Sequence, residues 1–312
     1  MRLFQHFLIA CTPHHPLGND TIWTHEIPCL SQNYEFLMHG ILGFAASSLL
    51  AEDPSLRTLA ISHRIKAIRA VKKVLGDATH ATTFEEGNAL LATCYALTFQ
   101  SIYLDDGMAE FMTFSRGIML IMFHMLNKGT KFIFQNTFGW EQLELIKPLV
   151  EATPPIPKEW ADMAVKGIAD LKPLYKDGIE SKLYKLISDV SMALHGSLLQ
   201  VYNVLFSNYF WWMQMSHEDF QALADPQSQT GLLLSTHWIA LKQLMVTSYD
   251  VENGVVTRSV HRKEHSLDMG IYRWLGYINR RIDPEYRQYN QLPMWVEAQL
   301  DRDENFFCKG IH

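Results

Sequence analysis

The acidic run around Gly107 has the residue types of a metal site. Asp105 and Asp106 are adjacent, and Glu110 follows four residues after the second aspartate. Carboxylates at this spacing can hold magnesium at a diphosphate group, because hard divalent cations prefer oxygen ligands. Such a site also needs ligands from another helix, and none are recognisable downstream. Capping of the next helix by an aspartate is therefore the favoured interpretation, and no metal or cofactor is predicted.

Histidines are the second group of candidate catalytic residues. His195 precedes a glycine and a serine, whose small side chains leave room for a ligand. This residue could act as a general acid or base if it lines a cavity. His39, His63 and His237 lie among apolar residues on predicted helices, where a buried neutral imidazole with one hydrogen-bond partner is favoured over catalysis.

Other enzyme motifs are weak or absent in the sequence. His261 and His265 have the spacing of one zinc-protease motif, but the arginine and lysine between them disfavour a cation site. The chain contains no glycine-rich phosphate loop, no Gly-x-Ser-x-Gly elbow and no Cys-x-x-Cys pair, which disfavours nucleotide, hydrolase and zinc-ribbon chemistry. If the chain is an enzyme, the predicted catalytic residues are His195, Asp105 and Asp106.

A dense aromatic cluster between residues 209 and 215 indicates a binding surface. Two adjacent tryptophans cannot point the same way on a helix, so at least one should line a groove, cavity or interface. Together with the predicted helix 181–205, the cluster would suit a sterol-sized or isoprenoid ligand, although core packing explains it about as well. The predicted ligand-binding residues are Leu198, Tyr202, Tyr209, Phe210, Trp211, Trp212, Met213 and Met215.

Composition limits the classes of partner. The 312 residues carry a net charge of -6 with a pI near 6.1, which disfavours direct nucleic-acid binding by this chain. The one basic stretch, residues 66–73, lies at helical spacing beside apolar residues and is interpreted as a solvated helix face. The four cysteines are far apart and imply no disulfide framework. With no apolar stretch of membrane-spanning length and no convincing signal peptide, an intracellular protein that does not enter a membrane is expected.

The pattern of apolar residues predicts an all-α fold with about ten to thirteen helices in one large domain, 1–312. No segment shows convincing strand alternation. Two apolar segments, 84–104 and 108–126, are predicted to form a central hairpin, the first capped by Thr82 or Thr83. Segment 127–158 contains several glycines and prolines, is expected to form short pieces, and is the best candidate for a hinge, lid or subdomain boundary. Further helices are predicted at 2–12, 34–51, 54–75, 160–174, 181–205, 216–224, 231–249, 271–282 and 294–300.

The order of these landmarks resembles the regulatory domain of fungal zinc-cluster transcription factors, and within it the sterol-sensing branch. The resemblance implies an all-helical domain, an apolar ligand pocket in the C-terminal half, and a homodimer. It also assigns structural roles to His39, His63, Arg116 and His237, which match recurrent positions. The residues that carry it are Phe4 to Phe7, Trp23, Ile27-Pro28, Tyr34 to Ala46, Ser62-His63-Arg64, Ala89 to Leu91, Thr113 to Gly117, Trp211-Trp212, Leu234 to Trp238, Trp274 to Gly276 and Trp295.

One departure from that family affects the expected function. Its members carry an N-terminal six-cysteine zinc cluster that reads DNA, and the sequence here starts at the first helix of the regulatory domain. The sequence is either an excised domain or a homologue without the DNA reader. The leading hypothesis is a ligand-sensing regulatory domain in the nucleus or cytoplasm. The alternatives are a fungal secondary-metabolite enzyme of the cyclase or isomerase type on the same scaffold, or a scaffold protein without a ligand.

Overall fold

The computed structural model describes residues 1–13, 15–76, 83–245 and 267–309, with some helical residues described by their backbone alone. All regular elements in these ranges are helical, which confirms the predicted all-α class. Twelve of the α-helices have nine or more residues. In the described residues the contacts define two compact units, 1–138 and 139–309. The division falls inside segment 127–158.

The described part of the first unit contains six α-helices and short helical turns. A π-helical turn, Ile22–Glu26, precedes α2, and a single 3-10 turn, Pro54–Leu56, leads into α4. Five of these helices were predicted, with boundaries that hold to within a few residues, whereas α2 was not predicted. The helices are α1 Arg2–Ala10, α2 Ile27–Ser31, α3 Glu35–Ser48, α4 Arg57–Gly76, α5 Phe84–Ser101 and α6 Met108–Asn127.

Helix α5 is the core of the first unit. Its N-terminus is capped by the second of the two predicted threonines: the Thr83 side chain accepts a hydrogen bond from the backbone N–H of Glu86 at 3.2 Å. Every residue from Gly87 to Ser101 is buried, and α3 and α6 both pack on this helix. Helix α6 is less enclosed than its apolar sequence predicts. It leaves three large side chains 40% or more exposed, namely Leu120, Phe123 and Leu126.

The second unit contains nine described α-helices. Its first helix, α7, differs from the short pieces predicted for segment 127–158. It is continuous over 14 residues although it contains Pro148, and it buries Ile146 and Val150, a contact that offsets the lost backbone hydrogen bond. The helices are α7 Gly139–Ala152, α8 Lys158–Ala169, α9 Ile179–Ala193, α10 Leu198–Gln214, α11 His217–Leu223, α12 Gln229–Leu244, α13 Leu267–Asn279, α14 Gln291–Arg302 and α15 Phe306–Lys309.

The helix predicted at 181–205 is divided in two. Ser197 forms a capping box with Gln200: its side chain accepts from the Gln200 N–H at 3.3 Å, and the Gln200 side chain accepts from the Ser197 N–H at 3.0 Å. These bonds satisfy amides that would otherwise lack partners at the start of a helix. The local polar signal therefore starts a new helix, α10, within a continuous apolar pattern.

Helix α12 is the core of the second unit. It is buried along nearly its whole length, and α8, α9, α13 and α14 pack against it. Its start is fixed by Ser228, whose side chain accepts from the N–H of Gly231 at 3.0 Å. A buried polar contact fixes α12 to α14, since Thr236 donates to the side-chain oxygen of Asn290 at 2.8 Å. A helix that is apolar on nearly all sides is stable in water only when neighbouring helices cover those sides, as these four helices cover α12.

Candidate functional site

The aromatic end of α10 packs on the central helix of the second unit. The rings of Trp212 and Trp238 lie 5.7 Å apart at an interplanar angle of 34°. On the same ring of Trp238 lies the ammonium group of Lys242, 5.2 Å from the centroid. Lys242 is only 4% exposed, and a cation over an indole face is stabilised by the ring quadrupole. The Trp212–Trp238 contact joins α10 to α12, whereas the Lys242–Trp238 contact lies within α12.

The predicted ligand-binding residues occupy α10 and its C-terminal cap. Leu198, Tyr202 and Met215 are buried, whereas Phe210 is 45% exposed and Trp211 is half-buried. Helix α10 packs against α7 and α9 in the same unit. The side chains of Tyr209 and Met213 lie outside the described part of the structure. The residues whose side chains are described therefore extend from the core to the surface along one helix, and their ligand-binding role stays a prediction.

His237 adds a polar atom to this region that the sequence did not single out for binding. The residue is completely buried on α12, next to Trp238. Its Nδ1 donates to the carbonyl oxygen of Leu233 at 2.8 Å, so Nε2 is left as an acceptor. Within the described residues, no donor reaches Nε2. Burial lowers the pKa of His237 to about 4, which keeps this acceptor neutral near pH 7.

His195 lies in the turn between α9 and α10 and not within a helix, which corrects the predicted position. Its Nε2 is 3.5 Å from a carboxylate oxygen of Asp162 on α8. The side chains of His195 and Asp162 are 36% and 58% exposed. A carboxylate can orient an imidazole for proton transfer, but the pair faces solvent. A catalytic role for His195 stays a prediction.

The acidic run of the first unit is arranged around a buried arginine. Glu110 forms an ion pair with Arg64 on α4, whose side chain is 5% exposed. Asp105 and Asp106 are exposed in the preceding turn. The predicted capping by an aspartate is wrong, because the N-cap residue of α6 is Gly107 and no side chain caps it. In the described ranges, no three His, Cys, Asp or Glu residues converge on a possible metal position.

Arg64 holds several elements of the first unit together, a role that the sequence did not reveal. Its guanidinium donates to the side chains of Gln100 at 3.1 Å and Ser101 at 3.0 Å on α5, in addition to the ion pair with Glu110. It also lies 5.3 Å from the ring centroid of Phe114. Burial lowers the pKa of Arg64, while the nearby carboxylates oppose that shift. The acidic run thus contributes Glu110 to a structural charge network.

The paired histidines of the first unit also have a structural arrangement. The Nδ1 atoms of His39 on α3 and His63 on α4 are 2.8 Å apart, and His39 Nε2 is 3.3 Å from Glu35. Burial, followed by the charges of His39 and Lys66, lowers the pKa of His63. A neutral ring can accept the hydrogen bond that joins the two helices. His14, His261 and His265 lie outside the described residues.

The described cysteines are free thiols. Cys11 and Cys94 are buried, and burial raises the pKa of each to about 12. A thiol with so high a pKa is a poor nucleophile, because the thiolate is the reactive form. Cys29 is exposed and also free, and the side chain of Cys308 lies outside the described part of the chain.

No helix among the described residues is both long and apolar enough to cross a membrane.

Comparison with known proteins relates part of the chain to a fungal regulator. No family model and no solved structure matches the chain. A stretch of 108 residues is 31% identical to Sterol uptake control protein 2 of Saccharomyces cerevisiae, covering 33% of this chain and 11% of the yeast protein. The chain is thus related, over a third of its length, to a fungal regulator of the transcription-factor type.

Proposed function

We propose that this chain is a ligand-sensing regulatory protein whose second unit binds an apolar small molecule that carries a hydroxyl group. The relation to a fungal transcription-factor-type regulator supports the regulatory role. The name of that yeast protein makes a sterol the first ligand class to test. A homodimer and a nuclear or cytoplasmic location complete the proposal, as the resemblance implies.

The observation that carries this proposal is the combination of aromatic side chains and one buried acceptor on neighbouring helices. A sterol presents a large apolar body and a single hydroxyl group, and ligand sites of this kind pair an apolar wall with a few polar atoms. Trp212 on α10 and Trp238 on α12 supply aromatic surface. His237 supplies an acceptor that lacks a donor among the described residues. A ligand hydroxyl that donates to Nε2 would remove the cost of this buried, unpaired atom, which is about 1–3 kcal/mol for a neutral group.

The same contacts give a route from ligand to regulation. A ligand that touches Trp212 would change its packing on Trp238 and therefore the position of α12, against which α8, α9, α13 and α14 pack. A ligand shifts such an equilibrium only if it binds the two packings with different affinities. Any partner that distinguishes the packings must then bind with an affinity that depends on the ligand, and the dependence is reciprocal.

Titration with dehydroergosterol, a fluorescent sterol, tests the proposal directly. We expect saturable energy transfer from tryptophan to the sterol, and a loss of affinity of about tenfold or more in Trp212→Leu and in His237→Phe. The matched control is Trp140→Leu, since Trp140 is 64% exposed on α7 and should leave affinity unchanged. Equal affinity in all four proteins, or no binding to the wild type, would contradict a sterol site at α10 and α12.

An enzyme is the second candidate, and the pair His195 and Asp162 is the observation that favours it. An imidazole held by a carboxylate is a common general base. Incubation of the protein with a lipid extract of its host, followed by mass spectrometry, separates the two functions. A compound retained unchanged supports the sensor, whereas conversion to an isomer that is lost in His195→Ala would establish the enzyme.

A further inference from the structure

The outer side of α4 is a concentrated basic surface on an acidic protein. Lys66, Arg69, Lys72 and Lys73 are all exposed, and residues 57–76 contain neither aspartate nor glutamate. Within the described part of the chain, no carboxylate forms an ion pair with any of these four side chains. The chain as a whole has a net charge of -6. Helix α4 is therefore a local reversal of the overall charge.

Exposed apolar side chains lie beside these cations. The apolar residues that the sequence places beside this basic stretch include Ile61 and Ile65, which are 45% and 40% exposed. The side of α4 that faces the core carries Ala60, Arg64 and Ala67. The small side chains of the two alanines allow α4 to pack closely on α3. The sequence interpretation, a solvated charged face, explains why the cations are exposed. It does not explain why the isoleucines are exposed as well.

Helix α7 has the complementary character. Trp140, Leu145 and Leu149 are 64%, 39% and 42% exposed. Glu144 and Glu151 are exposed among them, and neither forms an ion pair within the described ranges. Both α4 and α7 thus present apolar side chains with charges that form no ion pair in the described ranges. The charges of α4 are positive, and on α7 three glutamates outnumber one lysine, Lys147.

We propose that the outer face of α4 in one copy of the chain docks on the outer face of α7 in a second copy. Burial of the two apolar faces supplies the main driving force, while the opposite charges select the partner and the orientation. Both helices are long enough for such a contact, since 20 and 14 residues span about 30 and 21 Å at ~1.5 Å per residue. The inference rests on the proposed self-association and is independent of ligand binding.

A membrane surface fits α4 less well than a helix does. Amphipathic helices that lie on membranes use tryptophan, phenylalanine and leucine on the inserted face. Helix α4 has no tryptophan or phenylalanine, although Leu59 and Leu75 are 41% and 57% exposed. Ile61 and Ile65 lie four residues apart on one side of the helix, a spacing that suits packing against another helix. The net negative charge of the chain would also repel an anionic bilayer.

Reciprocal charge reversal tests the docking. Sedimentation velocity over a concentration series would compare the wild type with Lys66→Glu/Arg69→Glu and with Glu144→Lys/Glu151→Lys. We expect each double variant to raise the dissociation constant of self-association by about tenfold or more. In an equimolar mixture, the acidic α4 of the first variant faces the basic α7 of the second, and the basic α4 of the second faces the acidic α7 of the first. Because both contacts are attractive, we expect the mixture to associate as tightly as the wild type. High salt should weaken association of the wild type and of the mixture.

The matched control is Lys182→Glu/Lys185→Glu, which reverses two exposed lysines at the same spacing on α9 and should leave association unchanged. Far-UV circular dichroism confirms that each variant is folded. A dimer that is insensitive to both reversals would overturn the docking surfaces while leaving self-association intact. A wild type that stays monomeric at all concentrations would overturn both, and flotation with phosphatidylserine vesicles would then show whether Lys66 and Arg69 serve a membrane instead.

Discussion

Removal of the Glu110 charge should destabilise the first unit more than its partly exposed position suggests. Glu110 is the ion-pair partner of Arg64, and the two side chains are 46% and 5% exposed. In Glu110→Gln the guanidinium stays buried and charged, with only neutral acceptors such as Gln100 and Ser101. The cost therefore comes from a buried cation that keeps only the electrostatic attraction of Asp106, and not from the lost attraction alone.

The exposures set the expected magnitude. Exposed ion pairs contribute ~0–1 kcal/mol, whereas removal of one partner from a fully buried pair costs about 3–5 kcal/mol. Because water can reach the Glu110 side of this pair but not Arg64, we expect Glu110→Gln to lower the free energy of unfolding by about 2 kcal/mol. The same change in an Arg64→Met background should cost under about 0.5 kcal/mol, since no buried charge is then left unpaired.

Native-state hydrogen exchange of peptides from α4, α5 and α6, together with urea unfolding, measures this loss where it should occur. The matched control is Glu85→Gln, an exposed glutamate in the first turn of α5, which removes a similar interaction with a helix dipole but no ion pair in the described structure. If Glu110→Gln and Glu85→Gln reduce protection equally, or if the two backgrounds give the same cost, the buried-cation argument is refuted.

Three further predictions concern single residues. His237 has a pKa of about 4 when folded and 6.5 ordinarily, so the unfolded chain binds more protons between these values and stability falls as pH decreases from 6.5 to 4; His237→Asn should flatten that slope in urea titrations at several pH values. A Cβ on Gly107 would lie 1.9 Å from the carbonyl oxygen of Ser101, so Gly107→Ala should cost about 3 kcal/mol in thermal unfolding. Gly76→Ala, with open space around it, serves as its control. Ser197→Ala removes the cap of α10 and should cost about 1 kcal/mol in the same assay.

The helical class and several helix starts were predictable because their signals are local. Thr83 and Ser216 each cap the helix that the sequence assigned to them. Ser197 gives an equally local signal, a serine three residues before a glutamine, but the apolar period around it obscured the break. Gly129, Gly139 and the proline-rich run 153–157 had the opposite effect, since they lowered the expectation of a continuous helix that the structure nevertheless forms at Gly139–Ala152. The predicted and observed helix boundaries differ where the local residue preferences and the spacing of apolar residues indicate different boundaries.

Burial of particular faces was harder to predict than helices themselves. The spacing of apolar residues in α4 is helical whether the alanine side or the isoleucine side is buried. Only the contact with α3 shows that Ala60 and Ala67 face inward while Ile61 and Ile65 face outward. The site has the same difficulty. Its α10 residues were recognisable from their aromatic density, but the partner Trp238 is 26 residues beyond Trp212 and depends on tertiary packing.

The two central helices differ in the polar groups that they bury, and this difference favours the second unit as the ligand sensor. In α5, the side chain of Gln100 both accepts from Arg64 and donates to Ser47 at 3.0 Å, so this buried amide is paired on both sides. In α12, the Nε2 of His237 accepts from no donor among the described residues. A buried polar group that is fully paired rigidifies its surroundings, whereas one left unpaired costs free energy that a suitable ligand can recover. The paired amide of Gln100 thus helps to fix the packing of α5, whereas the unpaired acceptor of His237 gives α12 a reason to bind a hydroxyl group.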